Sequence, residues 1–347
     1  MSFTVRGVSK RLVPLAGAAT LSTLLTLGAA QAQDNPQSKS YVMKISTPTV
    51  NDAVHQIAKN FAAAVERDSA GRIKTEVYPG SQLGSVSRQI EGAQIGAIEG
   101  VVIPPEFFVG VDKRFEVMAA PGLVGSMAQG QRLAADPEVS KLMLGLGADK
   151  GLHGVALFMV NPNDLVTKAP INHLTDFKGK KLRVLASQFE TVPFERLGAS
   201  PVAMTLGDVL PALQQGAIDG ALSGMPVFAG MHFRDAAKYV TQIGQPAVFG
   251  MVELSKKWFD TLPPDLQKTV EQDAAAESVA INPFAVELNA NSAKAWTDSG
   301  GVLIKLPPDE HATMLKILST AAEEVAKSSP AIATAYQIVQ EAAQRVQ

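Results

Sequence analysis

Apolar and polar positions alternate from Lys39 to Thr47, the period of a half-buried strand, and the loop Thr47-Pro48-Thr49-Val50-Asn51-Asp52 ends the alternation. The spacing then becomes helical: Ile57, Ala58 and Phe61 recur on one face of a helix running past His55 to about Asp68, and Gly71 stops it. Arg72–Tyr78 alternates again. A strand, helix and strand within about 40 residues suit a parallel pair. Next, Pro79-Gly80 marks a turn, Ser85 can cap a helix reaching about Gln94, Gly96 ends it, and Ala97–Ile103 is a short apolar strand. The segment Phe115–Val124 is apolar but broken by Pro and Gly. Residues 127–150 read as helical and Gly151–Val160 as another strand.

The rhythm repeats from Pro170. A helical turn over Leu174–Lys178 precedes a strand at Lys181–Leu185, a helix at Gln188–Leu197 and a strand ending at Met204. Leu206–Gln215 is a helix closed by Gly216, Ile218–Leu222 is a strand, and Phe249–Leu254 brings the chain back as a further strand. Residues 264–299 predict one helix, opened by Pro263-Pro264-Asp265, closed by Gly300-Gly301 and kinked at Pro283. At 1.5 Å per residue its ~36 residues span ~54 Å, longer than one domain, so it should lie across two. Residues 308–344 predict one or two closing helices. The expected class is α/β: two domains, each a mixed sheet flanked by helices, joined by the long kinked helix. The first domain takes residues 33–162 with a return segment at 250–285; the second takes 163–249 with 286–347 contributing closing helices.

The first 32 residues change the picture of where this protein works. Arg6, Lys10 and Arg11 precede an apolar stretch from about Leu12 to Leu27, and Ala30-Gln31-Ala32 fits a cleavage site. The stretch is too short and too interrupted for the ~20 apolar residues of a spanning helix. Export to the periplasm with cleavage after Ala32 is expected. Losing those three basic residues, and no acidic ones, shifts the net charge from −2 to −5. A mildly acidic chain without a basic run is a poor nucleic-acid or anionic-membrane binder. There is no cysteine, so neither disulfides nor thiolate chemistry applies, and the core must pack unaided from the 46% hydrophobic residues.

Catalytic patterns are missing. His55, His153, His173, His232 and His311 are scattered without metal-ligand spacing. Ser223 in Gly-Ala-Leu-Ser-Gly does not form a nucleophile elbow, because its first glycine is one residue too far away. Gly145-Leu-Gly147-Ala-Asp-Lys-Gly151 follows a helix, unlike a dinucleotide loop. No carboxylate pair with opposed environments stands out. The chain reads as a non-enzyme without cofactor or metal.

Arg183 is the exception to this bland pattern. It lies between Leu182 and Val184 near the end of a buried strand, and a guanidinium, always charged, needs a partner when buried. That partner is either Asp176, Glu190 or Glu195 in a structural ion pair, or a ligand carboxylate beyond the strand's carboxyl end, where open α/β sheets bind ligands.

Several stretches resemble the substrate-binding proteins of TRAP transporters (the DctP type): YPGSQLG with IEGAQIGAIEG, then DFKGKKLRV, LGASPVAM, VLPALQQGAIDG and WFDTLPPDLQKTV in order. The resemblance implies a periplasmic two-domain clamp that closes on an organic acid and delivers it to the membrane permease of an ion-driven importer. Arg183 matches the arginine that pairs with the ligand carboxylate. The pattern departs elsewhere. Asn163 stands where many relatives carry a second arginine, Ser223 replaces the asparagine of DGQEN, and Pro48 and Pro104 take loop positions that are often polar. The expected ligand is therefore a monocarboxylate with a fairly apolar body, with Met204, Leu206, Phe249 and Phe189 as candidate walls. A dicarboxylate or sugar acid is disfavoured. A receptor for a periplasmic sensor is the other reading of the same fold. The partners expected are the acid and transiently docked permease subunits, with the chain a monomer.

Overall fold

The computed structural model describes residues 39–347. The predicted export segment and its cleavage after Ala32 lie outside them. The opening unit is as expected: β1 (Tyr41–Ser46), α1 (Ala53–Asp68) and β2 (Ile73–Tyr78), with β1 and β2 parallel and Tyr41 opposite Ile73. Along α1, Val54, Ile57, Ala58, Phe61 and Val65 face inward at helical spacing, and Asp52 caps the N-terminus. Ser85 caps α2 (Val86–Ile95), and Gly96 ends it at φ 83°, in the left-handed region that favours glycine. After β3 (Gly100–Ile103), the predicted helical stretch 127–150 is two helices, α3 (Met127–Ala134) and α4 (Pro137–Gly145). They divide where Asp136 caps α4 and Pro137 takes its first position.

β4 (Leu152–Pro162) leads through the single residue Asn163 into β5 (Asp164–Thr167). Then follow β6 (Lys181–Val184), α5 (Gln188–Arg196), β7 (Ser200–Ala203), α6 (Val209–Gln215), β8 (Gly220–Ser223), α7 (Met225–Gly230) and β9 (Tyr239–Thr241). β10 (Ala247–Ser255) returns, followed by α8 (Lys256–Phe259). The predicted long helix is α9 (Pro264–Ala280) and α10 (Asn282–Asp298), meeting at Ile281. The ladder continues through the junction, with Ile281 N–H donating to Glu277 and Ala285 N–H donating to Ile281, each at 3.0 Å. Pro283 sits in the first turn of α10, where a missing N–H is tolerated. The chain ends with β11 (Val302–Ile304), α11 (Pro308–Ala326) and α12 (Pro330–Arg345).

Two mixed sheets result, ordered β2-β1-β3-β10-β4 and β11-β9-β5-β8-β6-β7. One face of the first sheet packs on α1 and α9 through Met43, Ile45, Phe61, Val252 and Leu266. Its other face packs Val101, Ile103 and Met251 against Met118 and helices that include α12. In the second sheet, Val166 and Val240 pack with Phe228 and Trp296 on one side. Leu182 and Leu222 pack with Phe194, Met314 and Leu318 on the other. α9 lies against α1 and β4, while α10 lies against α7 and β11, so the kinked pair touches the layers of both sheets. No helix among the described residues is long and apolar enough to cross a membrane.

Candidate functional site

Parallel strands of both sheets end at one place, and the loops beyond them enclose a cavity of about 540 Å3 of atom-free space, mouth included. Pro48 follows β1, Pro104 follows β3, Leu185 follows β6, and Ser223 ends β8. Arg183, Asn163 and Leu206 also line the cavity. Six of the nine residues singled out from the sequence therefore meet here.

The other three do not. Met204 offers its backbone: the carbonyl accepts from Arg183 Nε at 2.9 Å. Phe249 points to the opposite face of β10, into the core with Met159 and Met251, while its neighbour Val248 reaches the cavity. Successive side chains of a strand alternate between faces, so this is a displacement by one residue. Phe189 is core as well, stacked on Tyr336 with ring centroids 5.6 Å apart.

Arg183 is only 2% exposed. Besides the Met204 contact, its Nη1 donates to the Leu222 carbonyl at 2.9 Å. Two carbonyls fix the guanidinium plane and leave further N–H donors for another acceptor. Among the described residues no carboxylate lies within 4.0 Å of it. Asp176 instead accepts the Asn172 and His173 amides, and Glu195 is exposed. Glu190 is buried and accepts the Leu185 amide at 2.7 Å. Burial pulls Arg183 down to about 10, against the opposing charges of Glu190 and Glu106. Burial pushes Glu190 up to about 7, against Arg183 and the Leu185 amide. Glu106 is raised well above the usual carboxylate range, by burial first and then by Glu190's charge. The acids that could neutralise Arg183 are thus themselves biased toward the neutral form.

Sequence reasoning missed Asp52, Thr49, Asn161, Phe107 and Glu106. Asp52 lines the cavity while capping α1; its Oδ1 accepts the Thr49 hydroxyl and the His55 amide, each at 2.8 Å, and burial pushes its pKa up to about 6. Its signal was present, as an acid at the seam between a strand's loop and an amphipathic helix. Glu106 was legible too, as the lone charge in Val101–Val111. The described residues hold no cluster of three or more His, Cys, Asp or Glu able to bind a metal.

Comparison with known proteins places the chain in a family. Residues 45–329 match the model of the bacterial extracellular solute-binding proteins, family 7 (DctP). The chain is 26% identical to the C4-dicarboxylate-binding periplasmic protein DctP of Rhodobacter capsulatus, over 90% of this chain and 92% of that one. In fold it is similar to a TRAP periplasmic solute-binding protein from Desulfovibrio salexigens solved with orotic acid. That match has a TM-score of 0.84 and 22% identity, covering 89% of this chain and 100% of the other. A TRAP solute-binding protein from Shewanella oneidensis with bound succinate matches with a TM-score of 0.81 and 23% identity, covering 88% and 99%. The chain belongs to family 7 of the bacterial extracellular solute-binding proteins, which bind their substrates and are not enzymes.

Proposed function

We propose that the protein is the periplasmic receptor of a TRAP importer, that it captures a monocarboxylate at Arg183, and that it passes this cargo to the membrane permease subunits. One observation carries the reading: a buried guanidinium lines the cavity, held by two backbone carbonyls and by no carboxylate within 4.0 Å among the described residues. An unpaired buried charge is strongly unfavourable, and a ligand carboxylate supplies the planar, two-oxygen acceptor that a guanidinium matches. Val54, Phe107, Val160, Leu206 and Val248 give the cavity apolar walls suited to the ligand's body. Arg183 is the only cation among the described residues lining it, and Asp52 lines it too. Both facts favour one carboxylate over the two of the succinate seen in the Shewanella oneidensis protein. In this reading the export segment is removed after Ala32 and the mature chain works as a monomer.

Calorimetry of the purified mature chain against an organic-acid panel tests the assignment. Saturable binding without turnover is expected, and Arg183→Ala should lose about 2–5 kcal/mol of affinity. Unchanged affinity in a folded Arg183→Ala protein removes Arg183 from the site.

A further inference from the structure

Asn163 has a backbone role and no visible side-chain role. Its N–H donates to the Pro246 carbonyl at 3.1 Å, joining the two segments that cross between the sheets. Its side chain is different: the residue is 0% exposed and lines the Arg183 cavity, yet neither Oδ1 nor Nδ2 has a hydrogen-bond partner. The neighbouring Asn161 shows the ordinary case, with Nδ2 donating to the Pro162 carbonyl at 3.0 Å. Leaving a buried polar atom unpaired costs about 1–3 kcal/mol, so the Asn163 carboxamide calls for a partner on both atoms. Whichever way the amide is turned, it presents one acceptor beside donors.

Ligand groups answer the two atoms unequally: a hydroxyl can donate and accept, but brings one oxygen to a carboxamide that presents two atoms. An ionised carboxylate only accepts, so it would satisfy Nδ2 and oppose Oδ1. An ammonium only donates and does the reverse. A hydrocarbon satisfies neither. A group with N–H and C=O side by side meets both at once, as two amides pair. The Asp52 carboxyl in the same cavity further disfavours a second anion.

We infer that the cargo is a monocarboxylate whose far end carries a neutral amide function (a carboxamide, lactam or ureide), read by Asn163 while Arg183 holds the carboxylate. The inference rests on the proposed acid-binding role of Arg183 and narrows it to a substrate class.

Matched ligand series on the mature chain test it by calorimetry. In each, a diacid, its half-amide and a methyl-ended monoacid share one skeleton: succinate, succinamate and butyrate; terephthalate, 4-carbamoylbenzoate and 4-methylbenzoate. A lactam pair, 5-oxoproline against cyclopentanecarboxylate, completes the set. The expected result is that, in at least one series, the amide-bearing acid binds at least tenfold more tightly than its partners. Asn163→Leu should abolish that preference, the amide-bearing acid losing at least tenfold more affinity than the methyl-ended acid of its series. If acids bind but the amide confers no advantage in any series, the inference falls and the Arg183 reading stands. It falls in the same way if the preference persists in Asn163→Leu. If no acid binds, both fall. The wild-type series decide the matter even if Asn163→Leu fails to fold.

Discussion

Arg183 shares its interior with Glu190 and Glu106, so carboxylate binding at the proposed Arg183 site should depend on pH. Glu190, pushed up to about 7, changes from mostly neutral at pH 6 to mostly charged at pH 8. Once charged, it competes with a ligand carboxylate for Arg183's field. Affinity for a carboxylate should therefore fall about tenfold, the equivalent of one pK unit, between pH 6 and pH 8. Glu190→Gln should flatten that profile in calorimetry, and a wild-type affinity constant across the range would contradict the coupling. The same groups set a stability trend. Glu190 titrates near 7 in the folded chain against an ordinary 4.5, and Asp52 and Asp164 near 6 against 3.8. Across these intervals the folded state binds more protons than the unfolded state, so stability falls as pH rises from about 4 to 7 and then levels. Below about pH 4 the exposed carboxylates with lowered pKa, such as Asp176 and Glu310, pull the other way as they protonate. Thermal melts should give a higher Tm at pH 5 than at pH 8. The reverse order would mean that these buried acids do not dominate the balance.

At the scale of elements, the cavity wall depends on a close approach at the start of α7. A Cβ on Gly224 would fall 2.1 Å from Asn161 Nδ2, so only glycine lets the Asn161 side chain lie where it does. The backbone at Gly224 is ordinary (φ −94°), so Gly224→Ala adds bulk without torsional strain. That substitution should displace Asn161 from the cavity, lower the Tm by a few degrees and weaken ligand binding. Equal binding by Gly224→Ala would show that Asn161 is not needed there. Elements were legible in the sequence where their signal is local. β1, α1 and β2 showed clear periods, and Ser85 and Gly96 bounded α2 correctly. β5, β9 and β11 were not legible. Each has only three or four residues, and β5 follows Asn-Pro-Asn, which reads as a turn. Their strand character comes from partners far along the chain, such as Ser223 opposite Asp164 and Thr241 opposite Leu165. β10 was found, but all nine of its residues are buried. With no polar face to orient it, nothing local distinguished cavity-facing Val248 from core-facing Phe249. Arg183 stood out because a charge within a buried strand violates the pattern around it.

At the scale of the molecule, the two sheets are joined through Asn163, through the segment between β9 and β10, and along α9 and α10. The cavity draws its walls from both sheets, with Pro48, Pro104 and Val248 from one and Arg183, Leu185 and Ser223 from the other. A site of this kind is complete only when both halves contribute, and no run of sequence shorter than about 200 residues contains it. In the sequence, only the charge of Arg183 within a buried strand and the overall order of motifs pointed toward it. The bond from Asn163 N–H to the Pro246 carbonyl has a further consequence. It ties together the two segments by which the chain crosses from one sheet to the other, at the edge of the cavity. Because both bonded atoms are backbone, any residue except proline at position 163 can keep that tie while its side chain varies.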